Sequence, residues 1–166
     1  MNSTITLNIG RFLLFILLQV LVFNAINFLG YINPYPYILF LLLFPLNPNR
    51  SLFLFLSFLL GLSVDMFSNS GGVHAASCLM IAFMRPAILR WVFGVSYEFQ
   101  TLKLGTVSRR ELLLYVLVMT AVHHSCLFLL EVFNLNLLII ALKKIVFSAI
   151  FTTILSMLIL IIFRRK

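Results

Sequence analysis

Charge is what this sequence has least of. Asp, Glu, Lys and Arg make up 10% of its 166 residues, and Asp and Glu together number only 4. Soluble domains carry about 25% charged residues and about 45–50% apolar ones. Here the hydrophobic fraction is 63% and the mean hydropathy +1.15. So few charged side chains cannot cover a water-facing surface, which excludes a cytosolic enzyme and, at the other extreme, a disordered tail. Cysteine is scarce too. Cys78 and Cys126 both lie inside apolar runs and read as small lipid- or helix-facing side chains, with no CxxC or Cys/His ligand spacing. There is no GxSxG, no phosphate-cradling glycine loop, no HExxH and no nucleophile with an obvious base. The strict alternation of a membrane β-barrel is missing. No internal repeat supports an inverted-repeat transporter. The sequence is that of an integral membrane protein, all-α, with residues 1–166 forming one polytopic domain, and the expectation is that it is not an enzyme and holds no cofactor or metal.

What it does have is long apolar runs. A helix needs about 20 apolar residues to span a bilayer. The first such run is Phe12–Leu29, after the lone Arg11, and it reads as a retained helix because no small-residue cleavage pattern follows. A turn with Tyr31, Pro34, Tyr35, Pro36 and Tyr37 comes next; proline restricts the chain to an extended approach and tyrosine suits the headgroup level. The second run, Tyr37–Leu46, is too short to span unaided at about 1.5 Å per residue. Asn47–Arg50 is a polar turn, and Ser51–Phe67 reads as the third helix. Gly71 and Gly72 close a Ser/Asn/Gly turn. A fourth helix is expected over Val73–Trp91, with Arg85-Pro86 and Arg90 near its end. The polar stretch Gly94–Arg110 precedes a fifth helix, Glu111–Val132. After a turn at Asn134–Asn136, a last helix starts at Leu137 or Lys144 and ends near Phe163.

The net charge of +8 distributes along this pattern. With the N-terminus inside and six spans, Arg11, Arg50, Arg85, Arg90, Lys103, Arg109, Arg110, Arg164, Arg165 and Lys166 fall on the cytoplasmic side. Only Lys143 and Lys144 fall outside. That asymmetry is the positive-inside signature, and it predicts a six-helix bundle with both termini in the cytoplasm. It also accounts for the high isoelectric point without nucleic acid, because the basic residues lie between apolar runs and not on one polar face.

Few polar residues lie within the spans. Asp65 sits about 21 Å along the third helix, in its outer half; a carboxylate there needs water or a partner. It is read as an interfacial or structural group, as a helix-packing or interaction site, or as a ligand to an ion or substrate. His123 and His124 lie about 18 Å along the fifth helix. Asp65, His74, one of the paired histidines and Glu131 are expected to converge in an outer polar pocket. Adjacent histidines point about 100° apart on a helix, so the His-x-x-x-His geometry of a metal site is lacking. Arg85 and Arg90 read as snorkelling to anionic lipid, with docking of a cytoplasmic partner as the other reading. Lys143 and Lys144 read as interfacial anchors, and Gly61 as a point of close helix approach.

From Gly61 to Pro86 the residues run Gly61-Leu-Ser-Val-Asp65, through Gly71-Gly72-Val-His74-Ala75, to Arg85-Pro86. This pattern resembles the rod shape-determining MreD family. In that family a helix with a Gly-Leu-x-x-Asp stretch leads into a glycine-rich turn and a small-residue helix starting Gly-x-His-Ala. The Pro34-x-Pro36 approach resembles the family too, although Tyr37 stands where the family often has an acidic residue. The resemblance implies a six-helix fold similar to the S-components of energy-coupling-factor transporters. It further implies a non-enzymatic scaffold of the bacterial inner membrane that serves cell shape and peptidoglycan synthesis. Its partners would be MreC, with the MreB filament, RodA and a class B penicillin-binding transpeptidase beside it, and membrane lipid. The other readings are an S-component-like vitamin-binding subunit of a transporter and an intramembrane hydrolase. Against the former, Ala25 is the only alanine of the first helix, so no alanine-pair docking seam exists there.

Overall fold

A computed structural model describes residues 3–26, 32–98, 102, 104–132 and 135–164. Residues 27–29 of the expected first span, together with Tyr31, Lys103, Asn134, Arg165 and Lys166, lie outside the described residues. Helices α1 (Ser3–Leu21), α2 (Ile38–Leu43), α3 (Arg50–Ser68), α4 (Val73–Phe93), α5 (Val95–Glu98), α6 (Arg109–Val132) and α7 (Leu138–Arg164) account for the architecture, with short 3-10 turns at Phe23–Ala25 and Leu135–Leu137. Among the described residues there is no β-strand. Five helices are long and apolar enough to cross a membrane, which is compatible with a multi-pass membrane protein.

Local chemistry sets several helix ends. The Asn49 side chain accepts a hydrogen bond from Leu52 N at 3.2 Å and starts α3. Asn69, in the left-handed conformation at φ 51°, stops it. At α6, Ser108 and Glu111 form a reciprocal capping box: Glu111 N donates to Ser108 Oγ at 3.1 Å, and Ser108 N donates to Glu111 Oε2 at 3.1 Å. The box moves the helix start to Arg109, two residues before the expected Glu111.

Two expectations are corrected. The first helix begins at Ser3, nine residues before Phe12, because the polar N-terminal residues continue the helix of the apolar run. The fourth helix starts at Val73 as expected and runs through Pro86 to Phe93, two residues beyond the expected Trp91, where Gly94 at φ 51° ends it.

The second apolar run is the centre of the fold. Its helical part is only six residues, Ile38–Leu43, about 9 Å long at 1.5 Å per residue. Every residue from Tyr37 to Leu42 is at most 2% exposed. Around it, α3 packs on α4, α4 on α6 and α6 on α7, while α1 lies against α3 and α2. Gln19 Nε2 donates to Pro34 O at 3.4 Å and Arg11 Nη1 to Leu43 O at 3.4 Å. The segment therefore descends antiparallel to α1 over about 12 Å, the rise of eight helical residues. Irregular backbone at that depth is tolerated only when protein surrounds it, and here it does.

The two ends of the bundle differ in chemistry. One end carries the α3–α4 turn with Asp65, the α1–α2 approach and the α6–α7 turn. The other carries the starts of α3 and α6 and the end of α4, with Arg50, Arg90, Arg109 and Arg110.

Candidate functional site

The site begins with a glycine. A β-carbon at Gly61 would meet His74 O and Ala75 Cα at 2.5 Å, so only hydrogen lets α3 touch the α4 backbone there. That contact brings the next turn of α3 under the first turn of α4. Asp65, 5% exposed, then caps α4 from the neighbouring helix. Its Oδ1 accepts from His74 N at 3.1 Å and its Oδ2 from Ala75 N at 2.8 Å. Ser70 Oγ donates to Oδ1 at 2.5 Å. A negative charge at a helix N-terminus meets both the orphan N–H groups and the macrodipole. Between the helices, Gly72 at φ 95° makes the turn that a side chain would strain. Of the readings open for Asp65, its contacts match the structural one.

The Asp65 contact positions His74 to point inward, where Tyr37 meets it. Tyr37 Oη lies 2.9 Å from His74 Nδ1 and 2.7 Å from His123 Nε2. Tyrosine has one proton to give, so one ring accepts it and the other must donate to the oxygen. His123 Nδ1 is buried and unpartnered among the described residues. An orphaned N–H costs more than an orphaned lone pair, so we assign the proton to His123 Nε2 and let Tyr37 donate to His74 Nδ1. His124 belongs to a second chain of hydrogen bonds. Its Nδ1 donates to Thr120 O at 2.7 Å, and Thr152 donates to its Nε2 at 3.2 Å. Thr152 in turn accepts from Tyr35 N at 3.1 Å. The Tyr35 ring packs against His74 and His124, at 5.5 and 5.3 Å between centroids. These two chains join the α2 approach, α4, α6 and α7.

Most of the expected pocket thus comes together, as a closed polar core. Asp65, His74, His123 and His124 are all buried, and both paired histidines take part where one was expected. Glu131 does not join them. It is 45% exposed and pairs with Lys144 at 2.8 Å, on the rim between α6 and α7. This corrects its place in the pocket; a carboxylate with a lysine in reach one helix away gains nothing by moving inward. Lys144 also lies 5.5 Å above the Phe128 ring. The carboxylate of Asp65 touches the backbone of His74 and Ala75 and not an imidazole, and among the described residues no hydrogen bond joins a histidine ring to a carboxylate as in a catalytic base. Among the described residues no group of His, Cys, Asp and Glu is placed to hold a metal ion.

Arg85 is the larger correction. It was expected at the headgroups, yet it is 1% exposed. Its Nη2 donates to Phe44 O at 2.6 Å and Leu42 O at 3.3 Å, its Nη1 to Pro45 O at 3.0 Å and its Nε to Tyr115 Oη at 3.0 Å. The guanidinium also stacks over Phe53, 5.1 Å from the ring centroid. A six-residue helix buried in apolar surroundings leaves its last carbonyls unsatisfied, and a cation there complements the helix dipole. Carbonyls at the end of α2 and in the two residues after it hold this arginine. Arg90, Arg109 and Arg110 are exposed at the same end, and Gly71, Pro34 and Pro36 shape the turns expected of them.

Tyr35 and Tyr37, expected at the headgroup level, are instead buried in this core. Sequence reasoning missed Gln19, Thr120 and Thr152, which are isolated or paired polar residues within apolar runs, itself the signal that finds buried hydrogen-bond partners. Comparison with protein-family models, with curated proteins and with solved structures finds no match.

Proposed function

We propose that this chain is a non-enzymatic scaffold subunit of the bacterial cell-elongation machinery, similar to the MreD family, in the cytoplasmic membrane. The observation that supports the reading is the α3–α4 joint. The residues that carry the resemblance, Gly61, Asp65, Gly72, His74 and Ala75, act in it as one physical unit. A further support is the nature of the polar core: its carboxylate and imidazoles are spent on neighbouring backbone, hydroxyl and phenol groups, which suits a rigid support better than an active site.

In this reading the descending segment around α2 is the second of six crossings, and both termini lie in the cytoplasm with the arginine-rich end. MreC binds the bundle, the MreB filament lies on the basic face, and RodA with a class B transpeptidase works on the periplasmic side. The basic end faces anionic lipid and filament, where each Lys or Arg near the surface is worth about 1 kcal/mol.

The test is purification of the tagged full-length chain from its native membranes in mild detergent, with mass spectrometry of what accompanies it. Recovery of a single-span protein with a periplasmic coiled coil, together with wall synthases, is the expected result. Recovery of paired ATPases and a second membrane subunit overturns it and makes the chain a transporter's binding subunit.

A further inference from the structure

Away from the polar core, a groove of about 1040 Å³ separates α1 from the last turns of α7. Leu43, Gly105 and Tyr115 are among the residues that line it. Its volume is at the top of the range for small-molecule pockets, about 300–1,000 Å³, and its lining is almost wholly apolar.

Two features of α1 are unexplained by packing within the protein. Arg11 lines the groove, half-buried in a membrane-length helix. Among the described residues it forms no ion pair, and its sole hydrogen bond is the long one to Leu43 O at 3.4 Å. The other cation buried in the bundle, Arg85, spends its guanidinium on three carbonyls and a phenol; Arg11 has most of its five donors left. A charged side chain in a span normally faces a partner of its own. The second feature is its neighbour. Gly10 is a helix-interior glycine, the poorest helix former after proline, and a β-carbon there would meet no atom within 4 Å. At Gly61 glycine is needed because another helix touches it. At Gly10 it faces the open groove.

We propose that this groove binds an anionic phospholipid of the leaflet at the arginine-rich end, its phosphate on Arg11 and its acyl chains along the apolar wall beside Gly10 and Leu14. Charge complementarity selects this occupant. Arg11 supplies an unmatched positive charge inside an apolar cleft, and Arg109 and Arg110 stand at the same end of the bundle, at the start of the helix that contributes Tyr115. A headgroup phosphate bonds a guanidinium with two parallel N–H donors, and the tails need only the apolar wall. The inference does not depend on the scaffold reading.

The test uses the full-length chain in nanodiscs of phosphatidylglycerol and phosphatidylcholine in equal parts, released and weighed by native mass spectrometry. The wild type is expected to retain phosphatidylglycerol in preference to phosphatidylcholine, undiminished by inorganic phosphate. In R11Q retention falls about fivefold, the loss expected for one basic residue at an anionic surface. G10F places a ring in the groove from a position whose β-carbon meets no atom within 4 Å, and lowers retention comparably. K143Q, the same charge loss at the opposite end, leaves it unchanged. Equal retention of the two lipids, displacement by phosphate, or wild-type retention in R11Q and G10F overturns the proposal. Loss of a co-purifying protein in G10F with lipid retention intact also overturns it, and assigns the groove to a partner helix. Should neither variant fold, the wild-type preference decides alone.

Discussion

Removing the carboxylate of Asp65 tests the α3–α4 joint directly. In the D65A variant the N–H groups of His74 and Ala75 lose their acceptor, and so does the Ser70 hydroxyl. A buried donor left unpaired costs about 1–3 kcal/mol, so the two amides together amount to about 2–6 kcal/mol. Loss of the charge at the α4 N-terminus adds about 0.3–1 kcal/mol. The hydroxyl can turn to water at the half-buried Ser70 and adds little. D65N keeps one acceptor oxygen but turns an NH2 toward the second amide, so it should lose about half as much. The order wild type, D65N, D65A is thus expected in reversible unfolding in mixed micelles, followed by far-ultraviolet circular dichroism. S70A, which deletes one hydroxyl donor and leaves both amides capped, should fall within about 0.5–1.5 kcal/mol of wild type. If D65A unfolds within 1 kcal/mol of wild type while S70A does also, the carboxylate is not holding the joint. The capping argument would then be wrong, and Asp65 would be free for a partner.

Three other outcomes follow from the same contacts. Gly61→Ala pushes a methyl into the backbone of His74 and Ala75, atoms that cannot swing aside; the expected loss is at least the about 1–3 kcal/mol of an overpacked core, read as a lower melting temperature and a broadened size-exclusion profile. Arg85→Lys keeps the charge but cannot reach three carbonyls and Tyr115 together; with hydrogen bonds to a charged group worth about 1.5–3 kcal/mol, it should lose one to two such bonds and expose the Phe44–Pro45 segment to limited proteolysis, whereas Arg90→Lys should not. Tyr37→Phe removes the hydroxyl between two imidazoles, and nitrogen-15 spectra of labelled histidine should show the His123 and His74 ring signals change while His124, on its own chain of hydrogen bonds, keeps its tautomer.

The long helices were legible because their signal is additive: a run of some 20 apolar residues has few alternatives once charge is this scarce. The α3–α4 turn was legible for a different reason. Gly71 and Gly72 answer a local backbone demand, and Asp65 and His74 lie only nine residues apart across it, so the joint is nearly local in sequence. Glu131 was misplaced by the same logic applied too far. Its depth along α6 was read correctly, but which way it faces depends on Lys144, thirteen residues on in another helix.

Arg85 marks the boundary between the two kinds of information. In sequence it is an arginine before a proline near a span's end, indistinguishable from Arg90. Its burial follows from α2, a helix too short to satisfy its own carbonyls, lying 41 residues upstream of it at Phe44. The hydrogen bonds that join Tyr37 to His123 reach still further, across 86 residues. Composition and the spacing of apolar runs by themselves determined that this chain builds long apolar helices, compatible with a multi-pass membrane protein, because the length and apolarity of each run act on that segment independently. Only the tertiary structure decided which polar groups pair, that the second run is a buried short helix and that a groove opens beside Gly10. Those outcomes depend on unsatisfied groups from distant segments meeting in a medium with no water to compete for them.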